Sequence, residues 1–374
     1  MSTSRTKVLC FVPRGLGGRG GIERLFAYIS RLENCPFDYK FVSTRGGGER
    51  PSHGAFLRAW LELFRAGVTR SIDLVHVNIS VHGSAYRKVV LVETAKALGL
   101  KVVAHFHGGG FDTCIRDNTP WVRVNRHSLR RADAVVALGA YWTELFVDVV
   151  GVQRERVFTV YNAVPDFSAG ETRGERATGP LKIAFAGEVG DRKGVDILVR
   201  ALCELGKDLD WTCVIAGNGD ATAYQEALAS AGLAERMEFP GWVSSATIHD
   251  LMLAADVVVL PSRAEALPVS LIEGACAGAA LVCTAAGASA EIVEDGVSGF
   301  VIPAEPAPLA AALRKLAGDR ELLRRMRRAA RKSYENKFTV GQMIAGLQDV
   351  YGFVLDPHAL RRRGQDRPMT SKAA

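Results

Sequence analysis

The chain has 374 residues, with 48% hydrophobic residues, 23% charged residues and a formal net charge of +7. At roughly 100–200 residues per domain this length suits two domains, and the composition excludes disorder, a collagen-like repeat and a charge-dominated tail protein. The seven cysteines show no C-x-x-C spacing and no stretch approaches the roughly 20 apolar residues of a membrane span, so a cytoplasmic protein with free thiols, no signal peptide and no anchor is expected.

The chain opens with a strand-like run, KVLCFVP (7–13), a glycine-rich turn, GLGGRGG (15–21), and a helix-like segment from 22 to 33. Further Val/Ile-rich runs follow at 38–44, 72–78, 101–107, 132–138 and 156–162, most of them separated by helix-length segments. Apolar runs that are continuous, not alternating, belong to strands covered on both faces, hence to a parallel sheet. Residues 165–180 are rich in Gly, Pro, Ser, Thr and charge, as a linker would be. The same grammar then restarts with strands at 181–187, 211–217, 236–242 and 255–262, and helices from about 193, about 221 and Pro268.

The expected fold is therefore α/β, with two doubly wound, Rossmann-like domains. Residues 1–164 form the first and 181–337 the second, joined by the linker at 165–180. A helix at 338–356 and a mobile tail at 357–374 complete the chain.

The positive charge is concentrated. Residues 314–332 carry nine basic and two acidic residues, which equals the whole net excess. One reading is a surface for anionic lipid or nucleic acid. The other is a solvated amphipathic helix, because Leu322, Leu323, Met326 and Ala330 recur at helical spacing. No aromatic residue interleaves with the basic ones, so no nucleic-acid partner is expected.

Three motifs bear on chemistry. GLGGRG (15–20) fits G-x-G-x-x-G between a strand and a helix, but the second strand ends at Ser43, Thr44 and Arg45 in place of an acidic residue. That disfavours NAD and leaves NADP open. Asp208-Leu209-Asp210 spells D-x-D, yet it precedes a strand and so falls at the sheet edge away from a ligand. No catalytic metal is expected. The third motif, in residues 261–303, sets Glu265 and Glu273 eight residues apart with Pro268 between them. On one helix they would stand about 12 Å apart along the axis, beyond the roughly 5–9.5 Å of a glycosidase pair. Glu265 therefore belongs on the loop before the helix. The two carboxylates then either grip two parts of one polar ligand beside the free amides of Val269 and Ser270, or are simply solvated.

The stretch EALPVSLIE resembles the E-x7-E donor-binding segment of retaining glycosyltransferases of the GT-B fold, family 4, also called glycosyltransferase group 1. Other pieces follow the family's order: GGIER (20–24), HFHGG (105–109), YNAV (161–164), FAGEVGDRKGVDIL (185–198) and IAGNGD (215–220). The resemblance spans nearly the whole chain before the tail. It implies two domains facing each other across a cleft, and transfer of a sugar with retention from a UDP- or GDP-linked donor to a glycan or lipid-linked acceptor. No cofactor is implied.

On this resemblance Glu273 accepts from the donor ribose, Glu265 holds sugar hydroxyls, and Lys193 with Arg192 balances the diphosphate. His107 contacts the sugar or the reacting centre. Gly20, Gly21, Val243, Leu267, Val269 and Ser270 complete the expected donor contacts, and the catalytic set is His107, Glu265 and Lys193.

Two residues depart from the pattern: Glu188 stands where many members carry Arg, and Pro268 where Gly is common. The rivals are an NADP-dependent oxidoreductase, a sugar-nucleotide epimerase or other GT-B enzyme, and an inactive nucleotide-binding relative. A lipid-linked acceptor would also bring the enzyme to an anionic membrane, with Arg123, Arg126, Arg130, Arg131 and Trp121 as expected contacts.

Overall fold

The computed structural model describes residues 5–16, 21–48, 51–81, 83–169, 179–356 and 358. Gly20, most of the expected linker and nearly all of the expected tail lie outside them. The chain divides into two compact units, one of residues up to Tyr161 together with those from Val340 onward, the other Asn162–Thr339.

In chain order the first unit holds β1 (Thr6–Val12), α1 (Gly21–Ser30), β2 (Phe37–Ser43), α2 (His53–Val68), β3 (Leu74–Ile79) and α3 (Gly83–Ala97). It continues through β4 (Lys101–Phe106), α4 (Phe111–Cys114), α5 (Pro120–Arg131), β5 (Ala134–Ala137), α6 (Ala140–Glu144), a π-helical turn (Leu145–Val150) and β6 (Val157–Thr159). The sheet is parallel throughout, in the order β2-β1-β3-β4-β5-β6.

β1 and β3 sit inside this sheet and are almost wholly apolar, as strands covered on both faces must be. All six residues of β3 are buried, including His76 and Asn78. Polar groups there must find hydrogen-bond partners, and both do.

The second unit holds β7 (Leu181–Ala186), α7 (Val195–Leu205), β8 (Trp211–Ala216), α8 (Thr222–Ser230), β9 (Met237–Gly241) and α9 (Ser245–Ala254). After these come β10 (Val257–Leu260), α10 (Val269–Cys276), β11 (Ala280–Thr284), β12 (Gly299–Ile302), α11 (Pro306–Gly318) and α12 (Arg320–Lys337). Its sheet, also parallel, runs β12-β11-β10-β7-β8-β9. Asp208 and Asp210 stand immediately before β8, at its amino end.

In each unit the chain builds outward on one side of its first strand and then returns to build on the other. The reversal lies between β1 and β3 in the first unit and between β7 and β10 in the second. Open α/β sheets bind ligands beyond the carboxyl ends of the strands at such a reversal.

The last helix, α13 (Val340–Leu355), belongs to the first unit. It packs against β4, β5, β6 and α1, and the Tyr351 hydroxyl lies 2.7 Å from His76 Nδ1 and 2.9 Å from the Tyr39 hydroxyl.

The basic run at 314–332 ends α11 and occupies most of α12, with Leu322, Leu323, Met326 and Ala330 buried as helical spacing predicts. Its arginines are largely engaged: Arg331 with Asp166 at 2.6 Å, Arg324 with Glu321 at 2.6 Å, and Arg314 and Arg327 with the carbonyls of Glu204 and Gly278. The segment works as a strap across its own unit, the amphipathic-helix reading.

Candidate active site

Glu265 lies on the loop between β10 and α10, and Glu273 lies within α10, as the spacing requires. Neither is solvated: Glu265 is 6% exposed and Glu273 1%. Burying a carboxylate is costly without compensation, and for Glu265 the compensation is visible. Its Oε1 accepts the Lys193 ammonium at 2.5 Å and the Ser262 hydroxyl at 2.7 Å. Ser262 is fixed in turn by Thr284, whose hydroxyl donates to the Ser262 carbonyl. The Glu265 carboxylate is thus held in one place before any ligand arrives.

Lys193 comes from the other strand of the reversal, in a short turn (Asp191–Lys193) after β7. Two glycines let the loops close on one another. Gly194 has φ +72° and a Cβ there would lie 2.0 Å from the Pro261 carbonyl oxygen; Gly287 has φ +54° and would meet the Glu265 carbonyl oxygen at 2.1 Å. Any side chain at either position would push the loops apart.

Arg263 ties the same loops from outside through paired 2.7 Å bonds to the two carboxylate oxygens of Asp196. That guanidinium holds the Asp196 carboxyl below its ordinary range. From below, Asn162 donates to the Leu267 carbonyl at 3.0 Å. Leu271, Ile272, Ala275 and Cys276 pin α10 to the sheet, and Leu271→Ala would cost about 2–5 kcal/mol.

Val269 and Ser270 open α10 behind Pro268, so their amides are free of intrahelical partners. Arg192 lies beside this group and donates to the Ala264 carbonyl at 3.4 Å, but its stronger bond, at 2.6 Å, is to Glu188. The unusual carboxylate faces the cation expected to meet a diphosphate. Val243 follows β9, three strands from β10 in the sheet order.

The remaining expected residues lie in the first unit. Gly21 is the first residue of α1. His107 follows β4, where its backbone N–H donates to the Ile79 carbonyl at 2.8 Å and its Nε2 lies 2.9 Å from Asn78 Oδ1. Asn78 Nδ2 donates to the Phe11 carbonyl at 3.0 Å, which leaves its oxygen toward the histidine. His107 Nε2 is therefore the donor, and Nδ1 carries the lone pair. Burial, and then the nearby His76 and Lys88, lower the His107 pKa to about 3, so the ring is neutral near pH 7.

Sequence reasoning did not single out Ser262, Thr284, Arg263, Asn162 or Asn78. A signal exists for two of them: Ser262 and Thr284 are polar residues at or just past the carboxyl ends of fully apolar strands.

A family profile described as "Glycosyl transferases group 1" matches residues 171–333, and one described as "Glycosyl transferase 4-like domain" matches residues 14–163. The chain belongs to the group 1 glycosyltransferases. This glycosyltransferase is 28% identical to an alpha-D-kanosaminyltransferase of Streptomyces kanamyceticus, over 87% of its own length and 89% of the relative's. It is 29% identical to a D-inositol 3-phosphate glycosyltransferase of Nocardia farcinica, over 68% and 60%. Among solved structures, a glycosyltransferase from Rickettsia africae superposes with a TM-score of 0.74 at 18% identity, covering 95% of this chain and 100% of that one. Anabaena HepE in complex with UDP and glucose gives 0.71 at 19% identity, covering 93% and 100%. These likenesses give the glycosyltransferase the GT-B fold, and family membership disfavours the NADP-dependent oxidoreductase.

Proposed function

We propose that the chain is a retaining, metal-independent glycosyltransferase that takes its sugar from a UDP- or GDP-linked donor bound at the carboxyl edge of the second unit. The observation that carries this reading is the contact between Lys193 and Glu265 across the strand reversal, with Glu273 buried on the adjoining helix. As the glycosidic bond breaks, negative charge grows on the diphosphate, and Lys193 with the Val269 and Ser270 amides offsets it. To do so, Lys193 shares or leaves Glu265, which frees that carboxylate to accept sugar hydroxyls. Glu273 accepts from the ribose, and Val243 and Leu267 flank the nucleotide.

On the first unit, His107 meets the acceptor side of the reaction, the acceptor being a glycan or lipid-linked intermediate of surface polysaccharide assembly by family analogy. For the expected membrane contact, α5 keeps Arg123 exposed, whereas Arg126 and Arg130 bond the Val149 and Val150 carbonyls at 2.5 Å. Co-sedimentation with anionic vesicles at low salt tests that contact.

A panel of UDP- and GDP-sugars, with the anomeric configuration of the product read by NMR, tests the main reading. Retention with turnover unaffected by a chelator is expected; inversion or magnesium dependence overturns it. The Glu188–Arg192 pair favours a second reading, a relative that binds nucleotide without turning it over. Tight nucleotide binding with neither transfer nor donor hydrolysis would select it.

A further inference from the structure

The two carboxylate oxygens of Glu265 stand in different surroundings. Oε1 accepts both the Lys193 ammonium, at 2.5 Å, and the Ser262 hydroxyl, at 2.7 Å. A carboxylate oxygen offers about two lone-pair positions, so Oε1 is fully engaged. Among the described residues nothing donates to Oε2. Oε2 is the oxygen left for a ligand.

Ser262 is itself fixed from two sides. It lies just beyond β10, is 1% exposed, and spends its single hydroxyl proton on Glu265. Its carbonyl accepts the hydroxyl of Thr284, the last residue of β11. The next residue, Arg263, donates its backbone N–H to the Arg192 carbonyl at 2.9 Å, in the turn that carries Lys193. The Ser262 hydroxyl therefore starts from a backbone held by the neighbouring strand and by that turn. Lys193, in contrast, reaches Oε1 on a flexible four-carbon stem and keeps 16% of its side chain exposed.

The terminal torsion of a glutamate is broad and roughly two-fold, so nothing within the side chain fixes the carboxylate plane. The two donors on Oε1 fix it. When Lys193 turns to the diphosphate, as the donor reading requires, one of them is withdrawn. Ser262 is then the donor that keeps Oε1 in place. Without it the carboxylate would rotate and exchange its oxygens, and the fixed geometry that a reacting sugar needs would be lost.

We propose that Ser262 is a positioning residue for the transfer reaction, holding Glu265 Oε1 throughout so that Oε2 stays turned to the hydroxyls of the donor sugar. This role rests on the glycosyltransferase donor reading and adds to it a residue and a separation of tasks between two atoms. A serine that merely satisfied a buried carboxylate would affect folding and nucleotide binding alike. A positioning serine affects only the steps in which the sugar takes part.

The full chain is assayed with the UDP- or GDP-sugar that turns over in the panel. Its affinity for the same nucleoside diphosphate, without a sugar, is measured by calorimetry. In Ser262→Ala, kcat should fall about tenfold or more, the scale of a hydrogen bond to a charged group, while the bare nucleotide binds as in the unmodified chain. An unchanged kcat overturns the proposal, and so does a bare-nucleotide affinity that falls in step with kcat. Ser262→Cys fills nearly the same space with a weak donor, and should lose kcat to a smaller extent. It carries the test alone if Ser262→Ala does not fold, and unchanged kcat in it then overturns the proposal.

Glu265→Gln separates this role from the reading beneath it. Alone, that substitution should cripple transfer, and Ser262→Ala added to it should cost little more, because the serine acts through the carboxylate. A full further loss in the double variant overturns the proposal. Turnover unchanged in Glu265→Gln, or no turnover of any sugar in the panel by the unmodified chain, sinks the donor reading and this role together. A crippled Glu265→Gln beside an unaffected Ser262→Ala sinks this role alone.

Discussion

At the second unit's edge Lys193 lies 2.5 Å from Glu265, Arg192 2.6 Å from Glu188, and Arg263 2.7 Å from Asp196. At the first unit's edge Lys88 meets a hydroxyl, and the histidines around it are neutral. Both edges sit at equivalent places in equivalent sheets, so the fold did not dictate the difference. A cation already paired can be lent to a ligand and taken back, with its carboxylate doing separate work in the interval. A buried cation without a carboxylate holds its charge at a cost, and burial depresses Lys88 to about 7.

The largest expected effect tests whether the lent cation is the electrostatic centre. Lys193→Ala should lower kcat by about 10²–10³-fold, or about 3–4 kcal/mol, with a smaller change in KM. Steady-state kinetics on the donor found by screening would show this, and a change confined to KM would move the charge-balancing role elsewhere.

Next in size is Glu273→Ala, which on the proposed donor reading removes a ribose contact made equally in ground and transition states. Nucleotide affinity measured by calorimetry should fall about 10–100-fold, the range of a hydrogen bond to a charged group, while kcat changes little. An intact fold with unchanged affinity would remove Glu273 from the site.

The neutral side of the comparison can be broken with pH. His76 and His107 take a proton near pH 6.5 when unfolded but only near 3 when folded, chiefly because they are buried. Between those values the unfolded chain binds more protons, so their contribution to stability is complete above pH 6.5 and declines as pH falls toward 3. The limit is about 1.4 kcal/mol per pH unit for each histidine. Thermal melts from pH 7 to 4.5 should show a falling Tm that is shallower in His107→Asn; a flat wild-type profile would mean the rings are charged in the fold.

The smallest effect makes the second edge more like the first. Glu188→Ala releases Arg192 from an exposed ion pair whose worth is about 0.2–1 kcal/mol. UDP affinity should rise about two- to fivefold at low salt and the gain should vanish at high salt. Weaker binding would show that Glu188 positions Arg192 and does not compete for it.

Much of this was legible because doubly wound sheets announce themselves in apolar runs, and because E-x7-E fixes a loop and a helix by arithmetic. The expected helix from about 193 is α7, and the run at 236–242 is β9 with Pro240 tolerated at the sheet edge. Other features depend on contacts between residues distant in sequence. β11 and β12 both lie inside the motif-bearing stretch at 261–303, where ALVCT reads as part of a signature, not as a strand. The Ser262–Thr284 link spans 22 residues and leaves no local period. In the sequence Glu188 is only a departure from the family's pattern, and the geometry shows it bonded to Arg192. Lys88 is buried in a helix whose sequence gives no hint of it. The glycine motif at 15–20 falls partly on residues outside those described, and the α5 arginines form a patch in the sequence, whereas the fold gives Arg126 and Arg130 carbonyl partners.

The return of α13 to the first unit has a consequence for how the protein is made. A chain emerging from the ribosome supplies all six strands of that unit by Thr159, yet Tyr351, which bonds His76 and Tyr39, arrives nearly two hundred residues later. At about 5–20 residues per second the delay is on the order of 10–40 s. Throughout that interval the face made by Phe37, Tyr39 and His76 lacks its cover. The first unit's strands are thus made before the second unit's, and its last helix after them. A stop codon near position 340 would spare every proposed donor residue and still leave the first unit unsealed.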